Sequence, residues 1–133
     1  MIKIAKNGQI GNLTLFLSFV LLAGCFPTQT ETTQFYIKNK CSSSIVLKST
    51  AVVHYSDGPR DEYREFTVKA GENFFLRSLG TTDKFEMTEV FKTFNVYLGS
   101  TKSHCSWSSK DDWEFSESNG DKKYTYNVPS SCF

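Results

Sequence analysis

Residues 93–98 read TFNVYL, and that stretch decides the fold. Phe94, Val96 and Leu98 fall on one face, with Thr93, Asn95 and Tyr97 on the other. This two-residue period belongs to a half-buried strand. Gly99-Ser100-Thr101-Lys102 follows as a hairpin candidate, so residues 102–108 are expected to return as a neighbouring strand. Upstream, residues 73–79 (NFFLRSL) read as a strand between two breaks, Ala70-Gly71-Glu72 and residues 80–83. Residues 63–69 alternate, with Phe66 and Val68 on one face. Residues 44–54 (SIVLKSTAVVH) are rich in β-branched side chains, which favour strands. Between those two strands Ser56-Asp57-Gly58-Pro59 reads as a turn, because Gly frees φ and Pro fixes it. Residues 35–39 (FYIKN) open the series, followed by a turn over 39–44.

Downstream, Asn119-Gly120 is the dipeptide that most favours a tight hairpin. Residues 124–128 (YTYNV) form the last strand, stopped by Pro129, and residues 113–116 are a short strand or a loop. Residues 84–91 (KFEMTEVF) stay open between a strand, a bent crossing segment and a single helical turn, since apolar residues stand at 87, 90, 91 and 94. Short strands with turns every eight to twelve residues or so predict an all-β domain. The expected architecture is a single antiparallel β-sandwich, Ig-like or related, with a small β-barrel as the alternative.

The first thirty residues have a different character. Lys3 and Lys6 precede the apolar run LTLFLSFVLLA at 13–23. That run is far shorter than the about 20 residues a spanning helix needs, and it has the layout of a secretory signal. Residues 1–24 are therefore expected to be a cleaved signal peptide. Residues 25–34 are expected to form a tether, because PTQTETTQ at 27–34 has no apolar periodicity. The folded domain is expected over 35–133. Removing Lys3 and Lys6 takes the 15 basic residues to 13, against 14 acids, a net charge of −1. Such a balance gives no steering towards nucleic acid.

Beyond Cys25, the chain holds Cys41, Cys105 and Cys132. An exported small domain gains from a disulfide. Cys41 follows the first strand and Cys132 the last, and terminal strands of sandwiches often lie side by side. Cys41–Cys132 is therefore the expected bridge, with Cys105 as the alternative partner and three reduced thiols as the other reading. His104-Cys105 is the one adjacent His/Cys pair, but strand neighbours point apart, so no catalytic thiol is expected. Neither C-x-x-C nor H-x-x-x-H spacing occurs, and no metal or other cofactor is expected. The acids around Gly58-Pro59 (Asp57, Asp61, Glu62) and those at 111, 112, 114 and 117 are read as solvated turns. Trp107 and Trp113 bracket the polar loop SSKDD. Trp107, with Asp111 and Asp112, is the ligand-contact candidate, since a flat aromatic ring beside acids suits a sugar. Trp113, Tyr124 and Tyr126 are expected in the core.

Leu22-Ala23-Gly24-Cys25 resembles the lipobox of bacterial lipoproteins. That resemblance implies cleavage between Gly24 and Cys25 and lipidation of Cys25, with acyl chains that anchor the protein to a membrane. Phe26 in place of Asp, and the lack of an acidic cluster after Cys25, imply the periplasmic side of the outer membrane rather than the cell surface. Residues 35–39, V-K-A-G-E at 68–72, F-N-V-Y-L-G at 94–99, W…D-D-W-E-F over 107–115 and Y-T-Y-N-V at 124–128 are similar to small β-sandwich envelope lipoproteins of gut Gram-negative anaerobes. The expectation is a non-enzymatic, lipid-anchored envelope protein that binds another protein. A glycan-binding accessory and an inhibitor of a hydrolase are the alternatives.

Overall fold

The computed structural model describes residues 31–80 and 84–133. The expected signal peptide, the expected cleavage and lipidation site at Gly24/Cys25 and most of the expected tether lie outside the described residues. Eight strands run in order among the described residues. They are β1 (Thr33–Asn39), β2 (Ile45–Tyr55), β3 (Gly58–Val68), β4 (Asn73–Leu79), β5 (Phe91–Leu98), β6 (Thr101–Lys102), β7 (Glu114–Ser118) and β8 (Asp121–Val128). One sheet has the order β4-β1-β8-β7 and the other β3-β2-β5-β6. The two pack face to face as a β-sandwich and do not close into a barrel.

The pairing is antiparallel except between β1 and β8, which run parallel from Thr33↔Lys122 to Asn39↔Val128. The sandwich is thus dominated by antiparallel pairing, as expected, with one parallel pair. That pair arises because the first and last strands are adjacent and both run towards the same end of the sandwich. β1 starts at Thr33, two residues ahead of the expected domain start, because Thr33 is buried and paired with Leu79. Residues 84–91 resolve into a short coil, a single helical turn α1 (Met87–Val90) and the first residue of β5. Glu86 and Glu89 close that turn as a reciprocal capping box. The expected return strand after the 99–102 turn is only β6, two residues long, and the chain then loops to a 3-10 turn at Lys110–Asp112.

The inner faces supply the core. β1 gives Phe35 and Ile37, β2 gives Ile45 and Leu47, β5 gives Phe94 and Val96, and β8 gives Tyr126 and Val128, all buried. Phe35, Phe91, Phe94, Trp113 and Tyr126 form a continuous aromatic cluster, mostly edge-to-face at 5–6 Å. Trp113 donates from Nε1 to Trp107 O (2.8 Å), and Tyr126 OH donates to Ser106 O (3.0 Å). These two bonds fasten the 103–113 loop along the flank of β5. The Asn119-Gly120 hairpin forms as expected, with φ of 53° and 83°, the left-handed pair of a type I′ turn.

The two ends of the sandwich are finished differently. At one end Asn39, fully buried, donates from Nδ2 to Ser43 O (2.8 Å) and Val68 O (3.0 Å) and accepts from Cys41 N (2.8 Å). A disulfide joins Cys105 to Cys132 at the same end, while Cys41 is a buried free thiol. The expected Cys41–Cys132 bridge is thus corrected. The terminal strands do lie side by side, and the Cys41 thiol donates to Val128 O (3.6 Å). Past Val128, however, the chain bends into a 3-10 turn (Ser130–Cys132) that carries Cys132 to the 103–105 loop, where His104 N donates to Cys132 O (2.9 Å).

At the opposite end each sheet carries a bulge. β1–β4 pairing passes from Phe35↔Arg77 to Tyr36↔Phe75 and leaves Leu76 unmatched. β2–β5 pairing passes from Thr50↔Thr93 to Ala51↔Phe91 and leaves Lys92 unmatched. There β5 stops pairing, but β2 continues with β3 alone to Tyr55↔Gly58. The β2–β3 hairpin therefore overhangs the sandwich as an arm. Gly58 and Pro59 belong to β3, not to the turn, which shrinks to Ser56-Asp57. Proline is tolerated because β3 is an edge strand.

Candidate functional site

The arm and the bulges together build a polar recess where a sandwich normally continues its apolar core. Partners opposite each other in an antiparallel pair share a face, so Arg77, opposite the core residue Phe35, points between the sheets. The extra residue, Leu76, is also buried. The bulge thus re-aims a charged side chain into the interior, a common use of this irregularity. Arg77 crosses the gap and donates from Nη1 to Val52 O of β2 (2.9 Å) and Val90 O of α1 (3.0 Å).

Opposite it stands the inner face of the arm. Ser49, Ala51, Val53 and Tyr55 alternate inward along β2, and Glu62, Arg64 and Phe66 do so along β3. Tyr55 OH donates to Glu62, and Arg64 Nη2 bonds the other Glu62 oxygen at 3.0 Å. The Arg60 guanidinium sits over the Tyr55 ring, 4.9 Å from its centroid. The recess holds about 210 Å³ and ends against Leu76, Arg77, Ser78 and Phe91. On the other side of Arg77 a larger groove of about 640 Å³ runs between Val52–His54 and residues of β4 and α1.

The electrostatics follow the contacts. The Tyr55 hydrogen bond, with Arg64 beside it, holds the Glu62 carboxyl below its ordinary value, and the same bond pushes Tyr55 up. Burial, and then repulsion from Arg64, pulls the Arg77 guanidinium below its ordinary value. Neighbouring charges outside the recess are matched: Arg60 with Asp57, and Lys92 with Asp61 (2.7 Å).

The residues singled out from sequence fall elsewhere. Trp107 is half-buried, and its ring packs on Phe94 with centroids 5.6 Å apart. The Asp112 carboxylate caps its own 3-10 turn, accepting from Ser109 N (3.1 Å) and Ser106 Oγ (2.8 Å). Asp111 is exposed, and its N–H donates to Ser109 Oγ (3.2 Å). Trp113 and Tyr126 are core residues as expected, and Tyr124 is half-buried on the same face. Cys105 is bridged to Cys132, and His54 lies on the arm at the other end, so those two do not meet. Asp61 and Glu62 are strand residues rather than turn residues. No group of three or more His, Cys, Asp or Glu among the described residues is placed to hold a metal ion.

Sequence reading missed Arg77, Arg64 and Glu62 as a group. The available signal was the polar residues Glu62 and Arg64 continuing the face of Phe66 and Val68, where a buried strand should stay apolar. Comparison with known protein families, with curated proteins and with solved structures finds no match to this chain.

Proposed function

We propose that this protein is a lipid-anchored envelope protein, held at Cys25 on the periplasmic side of the outer membrane, whose sandwich binds another protein without catalysing a reaction. The observation that carries the binding part is the inward-facing Arg77–Arg64–Glu62–Tyr55 group at the open end. Arg64 and Glu62 continue the face of the buried Val68 yet keep 56% and 27% of their side-chain surface exposed, so their charges stand where a partner can reach them. The lipobox-like Leu22–Cys25 supports the anchor. The non-catalytic part draws on the thiols: Cys105 is held in a disulfide, and burial pushes the Cys41 thiol up, away from the reactive thiolate.

A photoreactive residue at Ser78, exposed on the rim of the recess, tests the binding part in intact cells. It is expected to yield one defined protein adduct, with none from the same residue at Phe115 on the far edge strand. No adduct at Ser78, or equal adducts at both, overturns it. For the anchor, Cys25→Ser is expected to move the protein out of the membrane fraction, and full processing with retention in membranes would end that reading.

A glycan-binding role keeps one specific support. On the outer face of the β4–β1–β8 sheet, Tyr36 and Phe75 pack edge-to-face at 5.4 Å, with Phe75 47% exposed and Lys123 over the Tyr36 ring. Glycan retention abolished by Phe75→Ala and untouched by changes at Arg77 would favour this reading.

A further inference from the structure

Arg77 stands out in the described residues because its charge has two carbonyl partners and no carboxylate partner. A guanidinium carries five donors in a rigid planar fork. Among the described residues only Nη1 is engaged, by Val52 O and Val90 O, and those bonds fix its orientation across the gap. Arg64 lines the same recess and shares Glu62 with Tyr55. Among the described residues of the recess, two guanidiniums stand against one carboxylate, an excess of one positive charge at its mouth. The flanking pairs, Arg60–Asp57 and Lys92–Asp61, add none.

We infer that the recess between the sheets is a carboxylate-binding site that takes an acidic side chain of the partner protein between Arg64 and Arg77. The inference rests on the protein-binding reading above and names the chemistry of that contact. A fork-shaped cation matches a carboxylate through two parallel hydrogen bonds. The charge left in the recess suits a monoanion, whereas the dianion of a phosphate meets Glu62 as an added repulsion. The volume of about 210 Å³ equals roughly seven waters at ~30 Å³ each, room for a carboxylate and the short stem that bears it. The walls suit that stem, since Ala51, Val53, Leu76 and Phe91 are apolar.

The test uses the mature, isotope-labelled chain and follows the arginine Nε–Hε resonances. N-acetyl-glutamate N-methylamide is expected to shift those of Arg64 and Arg77 saturably in the millimolar range. The glutamine analogue, equal in size but uncharged, is expected to bind at least about tenfold more weakly. Arg77→Gln is expected to weaken glutamate binding by at least about tenfold. If that variant loses its dispersed spectrum, Arg64→Gln carries the same expectation, because the Arg64 side chain is 56% exposed and its replacement is expected to leave the fold intact. Equal binding of the two analogues, or glutamate binding unchanged in the folded variants, overturns the site. Inorganic phosphate binding more tightly than the glutamate probe overturns the carboxylate assignment. The cellular crosslink at Ser78 separates the two levels. A partner captured equally by wild type and Arg64→Gln leaves the binding module standing and removes this contact. Glutamate binding without any captured partner removes the binding module.

Discussion

The two ends of this sandwich are made from the same strands but finished by opposite rules. At the closed end every polar group that enters the interior is spent on the fold: Asn39 serves three backbone partners, and the disulfide ties the last turn to the 103–105 loop. At the open end the bulges at Leu76 and Lys92 interrupt pairing, and polar side chains on the inner faces stay partly exposed, with donors left over among the described residues. The difference teaches where to look for function in a chain without a catalytic motif. Polar groups whose hydrogen bonds close on themselves hold the structure. Those that reach the interior with capacity to spare are available to something else.

This contrast is open to direct attack. The largest effect is expected at the closed end. It comes from Cys105→Ser combined with Cys132→Ser. The bridge closes a loop with a sequence separation of 27, so its removal is expected to cost about 3–4 kcal/mol on the chain-entropy account. Next, Asn39→Ala removes the side-chain partner of one buried carbonyl, one part-buried carbonyl and one buried N–H, and denaturant unfolding should show a loss of about 3 kcal/mol. A smaller effect is expected from pH. Burial pushes Tyr126 up to about 12, from an ordinary value of 10.0. A raised folded-state pKa gives stability that is complete below the unfolded value and is lost as pH rises. Between pH 10 and about 12 the protein should therefore lose about 2–3 kcal/mol, a loss that Tyr126→Phe should largely remove. The smallest effect is expected at the open end. Arg64→Gln should change stability by less than about 0.5 kcal/mol while weakening glutamate binding. If Arg64→Gln instead destabilises the protein as much as losing the disulfide, the distinction between the two ends fails.

Much of the fold was legible because local chemistry and tertiary packing agree. Phe94 and Val96 alternate inward as read, and Asn119-Gly120 makes the hairpin its left-handed preferences demand. What escaped depends on register and on long-range neighbours. A bulge is one residue of slippage against a partner strand, and neither Leu76 nor Lys92 marks it locally. The Cys41 reading had the right strands adjacent. It failed on a three-residue turn after Pro129, which swings Cys132 away from β1. Trp107 looked exposed because its loop is polar, but its ring packs on Phe94 and the residue is half-buried. The candidate site was the least legible part. Glu62 and Arg64 sit beside Asp57-Gly58-Pro59, whose composition signals a turn, and the pairing of β2 with β3 places them on the inner face.

The parallel pairing of β1 with β8 has a mechanical consequence. The described chain enters β1 through Thr32, which bonds Asp121 through both its N–H and its hydroxyl, and β1 is then bonded along its length to β4 and β8. Drag on a lipid tether would pull β1 along its own axis. Both ladders would be loaded in shear at once, with no strand edge from which to peel. The far end of the same sheet is fastened by the Cys105–Cys132 bridge. A domain held this way would resist force at the one point where a leash would apply it, while the β2–β3 arm, in the other sheet, lies outside the loaded ladders.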